Sequence, residues 1–175
     1  MNRLLRSSLR LLDRLSPPKA VHAHCDIPCG IYDPHLAQIA ALTCIRMNQL
    51  IEALEAPGGA GAPPSKGERD KYVNSLSRYI ATKEEHAELV KKEVRIIWGD
   101  YFKPEHLEKH KDLHATVWNI MKLGSKVRQN VDLQAANDLL AEVQKFSEAF
   151  WATKDAKTAK VPSRTPAGGE LVVPA

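Results

Sequence analysis

Residues 33–54 read Asp-Pro-His-Leu-Ala-Gln-Ile-Ala-Ala-Leu-Thr-Cys-Ile-Arg-Met-Asn-Gln-Leu-Ile-Glu-Ala-Leu. Asp33 is a good N-cap, and Pro34 suits the first helical position, where no amide hydrogen is needed. Leu36, Ile39, Thr43, Met47, Leu50 and Leu54 follow at steps of three and four, which predicts a helix with those residues inward. The run Pro57-Gly58-Gly59-Ala60-Gly61-Ala62-Pro63-Pro64 then ends the helix in a loop.

The same periodicity recurs downstream. A second helix is expected from Glu68 to Trp98, with Tyr72, Leu76, Ile80, Ala87, Val90, Val94 and Ile97 near one stripe, before Gly99 and the Asp-Tyr-Phe-Lys-Pro stretch break it. A third begins near Pro104 and carries Leu107, His110, Val117 and Met121. A fourth starts at Asp132, with Ala136, Leu139, Val143, Phe146 and Phe150 inward. Four amphipathic helices with short connections predict an all-α fold, an up-down four-helix bundle. From Ala156 onward the chain is rich in Lys, Thr, Pro and Gly, so residues 156–175 are expected to be a disordered, flexible tail, and the Leu-Val-Val-Pro-Ala ending a frayed terminus.

The composition is 43% hydrophobic and 26% charged, with no apolar run near the roughly 20 residues of a membrane span. The sequence pI near 9.0 gives an impression of basicity that the charge distribution removes. Residues 1–23 set Arg3, Arg6, Arg10, Arg14 and Lys19 against Asp13, a net of +4, which is also the net of the whole chain. The remainder is therefore near neutral, and neither nucleic acid nor membrane is an expected partner. Leucines and arginines alternate along the leader at helical spacing up to Pro17-Pro18. Arginine recurs too often for a secretory signal, so a cytoplasmic location is expected, with organelle targeting by an Arg-rich leader left open.

The chain has three cysteines, Cys25, Cys29 and Cys44, an odd count with no disulfide framework. His24-Cys25-Asp26-Ile27-Pro28-Cys29 gathers two thiols and an imidazole, a donor set that favours zinc, nickel or copper over magnesium or calcium. Three residues between the cysteines depart from the thioredoxin-like spacing of two. An iron–sulfur site normally uses four cysteines. A Cys2His2 zinc site completed by His22 or His35 stays open on spacing alone. Cys44, inside the first helix, reads as a small buried apolar residue.

The stretch His24-Cys25-Asp26-Ile27-Pro28-Cys29-Gly30-Ile31-Tyr32-Asp33-Pro34 resembles the nickel hook of the nickel superoxide dismutases, HCDxPCGxYDP, and all nine specified positions match. Trp98-Gly99-Asp100-Tyr101-Phe102-Lys103-Pro104 is similar to that family's W-x-D-Y-F-K-P, and Phe150-Trp151-x-Thr153-Lys154 is a third, weaker match. The resemblance covers Ala23 to Lys154.

The resemblance implies a precursor with a cleavable leader (1–23), a nickel-binding hook (24–32), a four-helix bundle (33–155) and the tail. It implies removal of the leader by a processing protease, so that His24 becomes the first residue. The metal ligands would be His24 (amine and imidazole), Cys25 (amide nitrogen and thiolate) and Cys29 (thiolate), with one nickel ion per subunit. The amine, amidate and two thiolates would form a square plane, with the imidazole as an axial ligand in the oxidised state. The implied reaction disproportionates superoxide to dioxygen and hydrogen peroxide through Ni(II) and Ni(III), in a homohexamer.

Tyr32 and Tyr101 resemble the tyrosines that line the family's substrate approach, and Asp26 is expected to order the hook by hydrogen bonds. Pro28, after a cis peptide, and Gly30 bend the hook, and Lys103 offers local attraction for the superoxide anion. This chain departs from the family at Ala40, where some members carry a glutamate supporting the axial histidine, and at His86, where they carry its arginine partner. The alternative is a non-catalytic zinc- or nickel-binding helical protein using the same cluster. His106, His110 and His114, at steps of four, are expected on one helical face, in a surface or subunit-contact role.

Overall fold

The computed structural model describes residues 30–58 and 63–175. The compact unit Tyr32–Ala175 contains every helix and strand among the described residues. Its elements are α1 (His35–Glu52), α2 (Lys66–Ile96), α3 (Pro104–Lys109), α4 (Leu113–Gln129), α5 (Leu133–Ala152), β1 (Thr158–Pro162) and β2 (Glu170–Pro174). The four long helices pack in a cycle: α1 against α2, α2 against α4, α4 against α5, and α5 back against α1.

Polar side chains tie down the starts of three of the helices. Asp33 Oδ1 accepts from the His35 amide at 2.7 Å, although the helix proper begins one residue later than the Asp-Pro pair suggested. Ser65 and Glu68 form a reciprocal capping box at α2. Asp132 Oδ1 accepts from the Ala135 amide at 2.8 Å at α5. At the other end of α4, Lys83 reaches across from α2. It is 2% exposed, and its ammonium donates to Val127 O at 2.7 Å, to Arg128 O at 3.3 Å and to Asn130 O. These are carbonyls the helix end leaves unpaired, so the buried cation is held by peptide dipoles rather than by a counter-charge.

The inward face of α5 is as expected: Ala136, Leu139, Val143, Phe146 and Phe150 are all fully buried. The face of α1 is not. Ala37, Gln38, Ala40, Ala41, Leu42, Cys44, Ile45 and Asn48 are buried, whereas Leu36 is 47% exposed. Because α1 meets α2 on one side and α5 on the other, its most enclosed line needs small side chains that allow close approach. The larger residues Ile39 and Met47 fall on the half-buried flanks.

The expected third helix is two helices. The chain leaves helical geometry at His110 (φ −120°, ψ 67°) and restarts at Leu113. Leu107 packs against the core and Leu113 is 2% exposed, but residues six apart lie about 240° apart around a straight helix. The break re-aims the chain so that both turn inward. It also places His106 on α3 and His114 on α4, with His110 at the break, which corrects the single histidine face. Among the described residues no group of three His, Cys, Asp or Glu side chains is placed to hold a metal.

The C-terminus departs furthest from expectation. Residues 156–175 are not a disordered tail, and the fold is not wholly helical. β1 and β2 form an antiparallel hairpin in register Lys160↔Val172, and β2 buries Leu171 (8% exposed) and Val172 (1% exposed) against the helices. The signal was present in the chain. Glu170-Leu-Val-Val-Pro174 is a short apolar strand, and Gly168 and Gly169 before it both hold positive φ, at 74° and 75°.

Candidate metal centre

The second matching block, Trp98 to Pro104, is shaped by a widened helical turn. α2 passes into a π-type turn over Ile97–Tyr101, closed by the Phe102 amide on the Ile97 carbonyl at 3.3 Å. One extra residue per turn swings Tyr101 toward the core. There its ring lies 5.6 Å, centroid to centroid, from the ring of Tyr32, at an interplanar angle of 53°. The structure therefore brings together two of the residues singled out from separate stretches of sequence.

Tyr101 is held on several sides. His106 stacks on it at 5.7 Å and 21°, Phe102 meets it edge-on at 5.4 Å, and Phe150 lies 4.8 Å away. The Lys154 ammonium sits 5.3 Å from the Tyr101 centroid and 5.1 Å from that of Phe150. Thr153 Oγ1 donates to Phe150 O at 2.6 Å and lies 2.7 Å from the Tyr101 hydroxyl. Its one proton is committed to the carbonyl, so the Tyr101 hydroxyl is the donor in the second bond. His106 Nδ1 accepts from the Lys103 amide at 3.1 Å, which leaves its proton on Nε2. Lys103 itself is exposed. Sequence reading assigned Tyr101, gave no role to Thr153 or Lys154, and expected His106 in a surface or subunit-contact role. The Thr153-Lys154 pair was visible as the end of the third matching block.

His24, Cys25, Asp26 and Cys29, and with them the peptide before Pro28, lie outside the described residues. Gly30, just after them, has φ +71°, a left-handed conformation that glycine adopts without strain. The donor set of that stretch, two thiols and an imidazole, offers soft sulfur ligands that are anionic when deprotonated, and it fits nickel. Cys44 is not available to it. The thiol is fully buried in α1, donates to Lys83 O at 3.6 Å, and has its pKa pushed up to about 12 by burial. It stays a neutral thiol at ordinary pH, and only thiolates are good ligands.

Ala40 is fully buried and offers no polar group. His86 is half-buried, and its Nδ1 donates to Thr82 O at 2.9 Å, because the carbonyl can only accept. The imidazole is thereby fixed to its own helix, with Nε2 as its remaining acceptor.

The model of a protein family described as nickel-containing superoxide dismutase matches residues 19–154. The superoxide dismutase [Ni] of Streptomyces coelicolor (strain ATCC BAA-471 / A3(2) / M145) is 35% identical over 147 residues, covering 83% of this chain and 100% of that protein. The one of Streptomyces seoulensis is 33% identical over the same coverage. Among solved structures, the native nickel superoxide dismutase at 1.30 Å superposes with a TM-score of 0.62 at 31% identity, covering 75% of this chain and 99% of that one. The structure with nickel ligation of the oxidised state gives 0.64 at 30% identity, covering 76% and 100%.

Proposed function

Because the chain belongs to the nickel-containing superoxide dismutase family, and is thus an oxidoreductase that takes nickel as its cofactor, we propose that it disproportionates superoxide at a hook of His24, Cys25 and Cys29. The observation that carries this reading is the Tyr32–Tyr101 ring contact. It joins the tyrosine of the hook motif to the tyrosine of the second matching block.

The leader is removed by a protease after Ala23, so that the amine of His24 becomes a donor beside its imidazole, the amide and thiolate of Cys25, and the thiolate of Cys29. Nickel held by such anionic donors would supply a one-electron couple between Ni(II) and Ni(III), by which one superoxide would be oxidised to dioxygen and a second, taking up two protons, reduced to hydrogen peroxide.

The protein's own residues do the rest. Tyr32 packs on Tyr101 at the end of the hook, and the pair restricts approach to small species such as superoxide. Tyr101 acts through the position of its ring, because its hydroxyl proton is spent on Thr153. Asp26 orders the hook. Lys154 and Lys103 bring positive charge to the side of the scaffold that carries Tyr101, which favours arrival of an anion.

The cyclic packing of α1, α2, α4 and α5 supports an up-down four-helix bundle as scaffold, and we propose that six copies assemble as a homohexamer with one nickel each. We also propose residence in the cytoplasm, where free thiols persist, and no nucleic-acid or membrane partner. Visible spectroscopy of the nickel-reconstituted protein trimmed to His24 tests the reading. Thiolate-to-nickel charge-transfer bands are expected, and their absence, with zinc bound instead, would contradict it.

A further inference from the structure

The hairpin Thr158–Pro174 lies beyond residues 19–154, the part of the chain matched by the family. It is nevertheless tied to the helices at several points, and the ties are selective. In β2, alternate residues turn their backbone groups toward β1, and the rest face away. Those outward groups are met by glutamines. Gln38 of α1 donates from Nε2 to Val172 O at 3.0 Å and accepts from the Val172 amide at 2.7 Å, so one amide side chain completes the strand edge as a third strand would. Gln144 of α5 donates to Glu170 O at 2.8 Å, and Gln49 of α1 donates to Ala167 O at 3.1 Å. Gly169 lies so close to Leu42 and Leu140 that a Cβ there would stand 3.1 Å and 3.3 Å from their methyl carbons. The hairpin thus sits across α1 and α5.

Gln38 is fully buried and lies in the first turn of α1, six residues after Tyr32. Among the described residues, that turn is otherwise capped by Asp33 Oδ1 on the His35 amide. Its first backbone bond, Gln38 amide to Pro34 carbonyl, is 3.3 Å long, and its inward residues Ala37, Ala40 and Ala41 bury little apolar area. Helix ends of this kind open readily. Gln49 lies eleven residues on, about 16 Å along the same helix.

We propose that the hairpin is a clasp on α1, and that the Gln38–Val172 pair is a positioning element for the nickel centre. It pins the turn from which the hook's chain departs. The proposal rests on the hook reading above. A functional metal site needs its ligands held to within about 0.5 Å, so a hook leaving a fraying helix end would chelate loosely. The clasp keeps that end closed without contributing a ligand.

Gln38→Leu and Gln49→Leu each remove one tie between the hairpin and α1, at the hook end and at the far end respectively, and therefore separate positioning from general stability. Two readouts are taken on the protein trimmed to His24. With nickel bound, loss of the charge-transfer band to excess EDTA should be roughly tenfold faster in Gln38→Leu, which forfeits two buried hydrogen bonds, and within about twofold of the parent in Gln49→Leu. Without nickel, amide exchange in the peptide 35–42 should rise in Gln38→Leu and stay near parental in Gln49→Leu. The exchange readout stands even if the hook reading fails. Should Gln38→Leu misfold, truncation after Asp155 in the presence of the intact helices should give the same fast release and exchange. Equal effects of the two substitutions, or no effect of Gln38→Leu on either readout, would overturn the clasp.

Discussion

The hydroxyl of Tyr101 donates to Thr153 Oγ1 at 2.7 Å, and the Thr153 hydroxyl in turn donates to the Phe150 carbonyl at the end of α5. A residue at the end of the π turn is thereby locked to the far end of the last long helix. This chain of two bonds, together with the rings packed around it, fixes the direction in which the Tyr101 ring faces Tyr32.

Replacing Thr153 by Val should release that lock while keeping the shape of the side chain. The unfolding free energy should fall by about 1 kcal/mol, and dismutase activity should drop, because Tyr32 loses a fixed platform. Thr153→Ser keeps the hydroxyl and should stay close to the parent in both. Denaturant titration and activity of the two variants check this; equal behaviour of Ser and Val would mean that the hydroxyl is idle.

Cys25→Ser and Cys29→Ser should each abolish activity and nickel binding, because an alcohol stays protonated where a thiolate is needed. Cys44→Ser should cost only about 1–2 kcal/mol of stability and leave activity nearly intact in the folded protein. Metal content and activity of the three variants measured together check the ligand assignment.

Cys44 also predicts a pH dependence. Its thiol is raised from 9.0 to about 12 by burial, so the folded state holds the proton more tightly than the unfolded chain. Its contribution to stability is whole below pH 9 and is lost as pH climbs toward 12, at up to about 1.4 kcal/mol per pH unit. Comparing the alkaline stability of the parent with that of Cys44→Ala isolates this loss; identical slopes would contradict it.

Lys83→Met should destabilise the fold by about 2–4 kcal/mol, since the Val127, Arg128 and Asn130 carbonyls lose their shared donor at the end of α4. Hydrogen exchange should rise first in residues 124–130. A change under about 0.5 kcal/mol in denaturant titration would show that water replaces the ammonium at no cost.

Where each element stood in the sequence explains what was legible. The inward set of α5 was read correctly because Phe146 and Phe150 are large, apolar and regularly spaced, so periodicity and burial agree. In α1 they disagree, because the enclosed line is built from Ala37, Ala40, Ala41 and Cys44, too small to register as a hydrophobic stripe. Gln38 was invisible for a further reason: its burial depends on Val172, 134 residues away. The break at His110 and the hairpin were missed because composition outweighed local turn chemistry, although Gly168-Gly169 before a short apolar run carried the hairpin signal. In the site, Tyr32 and Tyr101 were singled out from their motifs and do meet. Thr153 and Lys154 needed the path of α5 before their role could be seen.

The central claim is that a free amine at His24 completes the nickel site. It is tested most directly by assaying superoxide dismutation in two nickel-loaded preparations, one beginning at His24 and one beginning at Ala23. In the longer protein the nitrogen of His24 is a peptide nitrogen, and the amine donor is absent. Activity is predicted in the first and none in the second; full activity in the protein beginning at Ala23 would contradict the account.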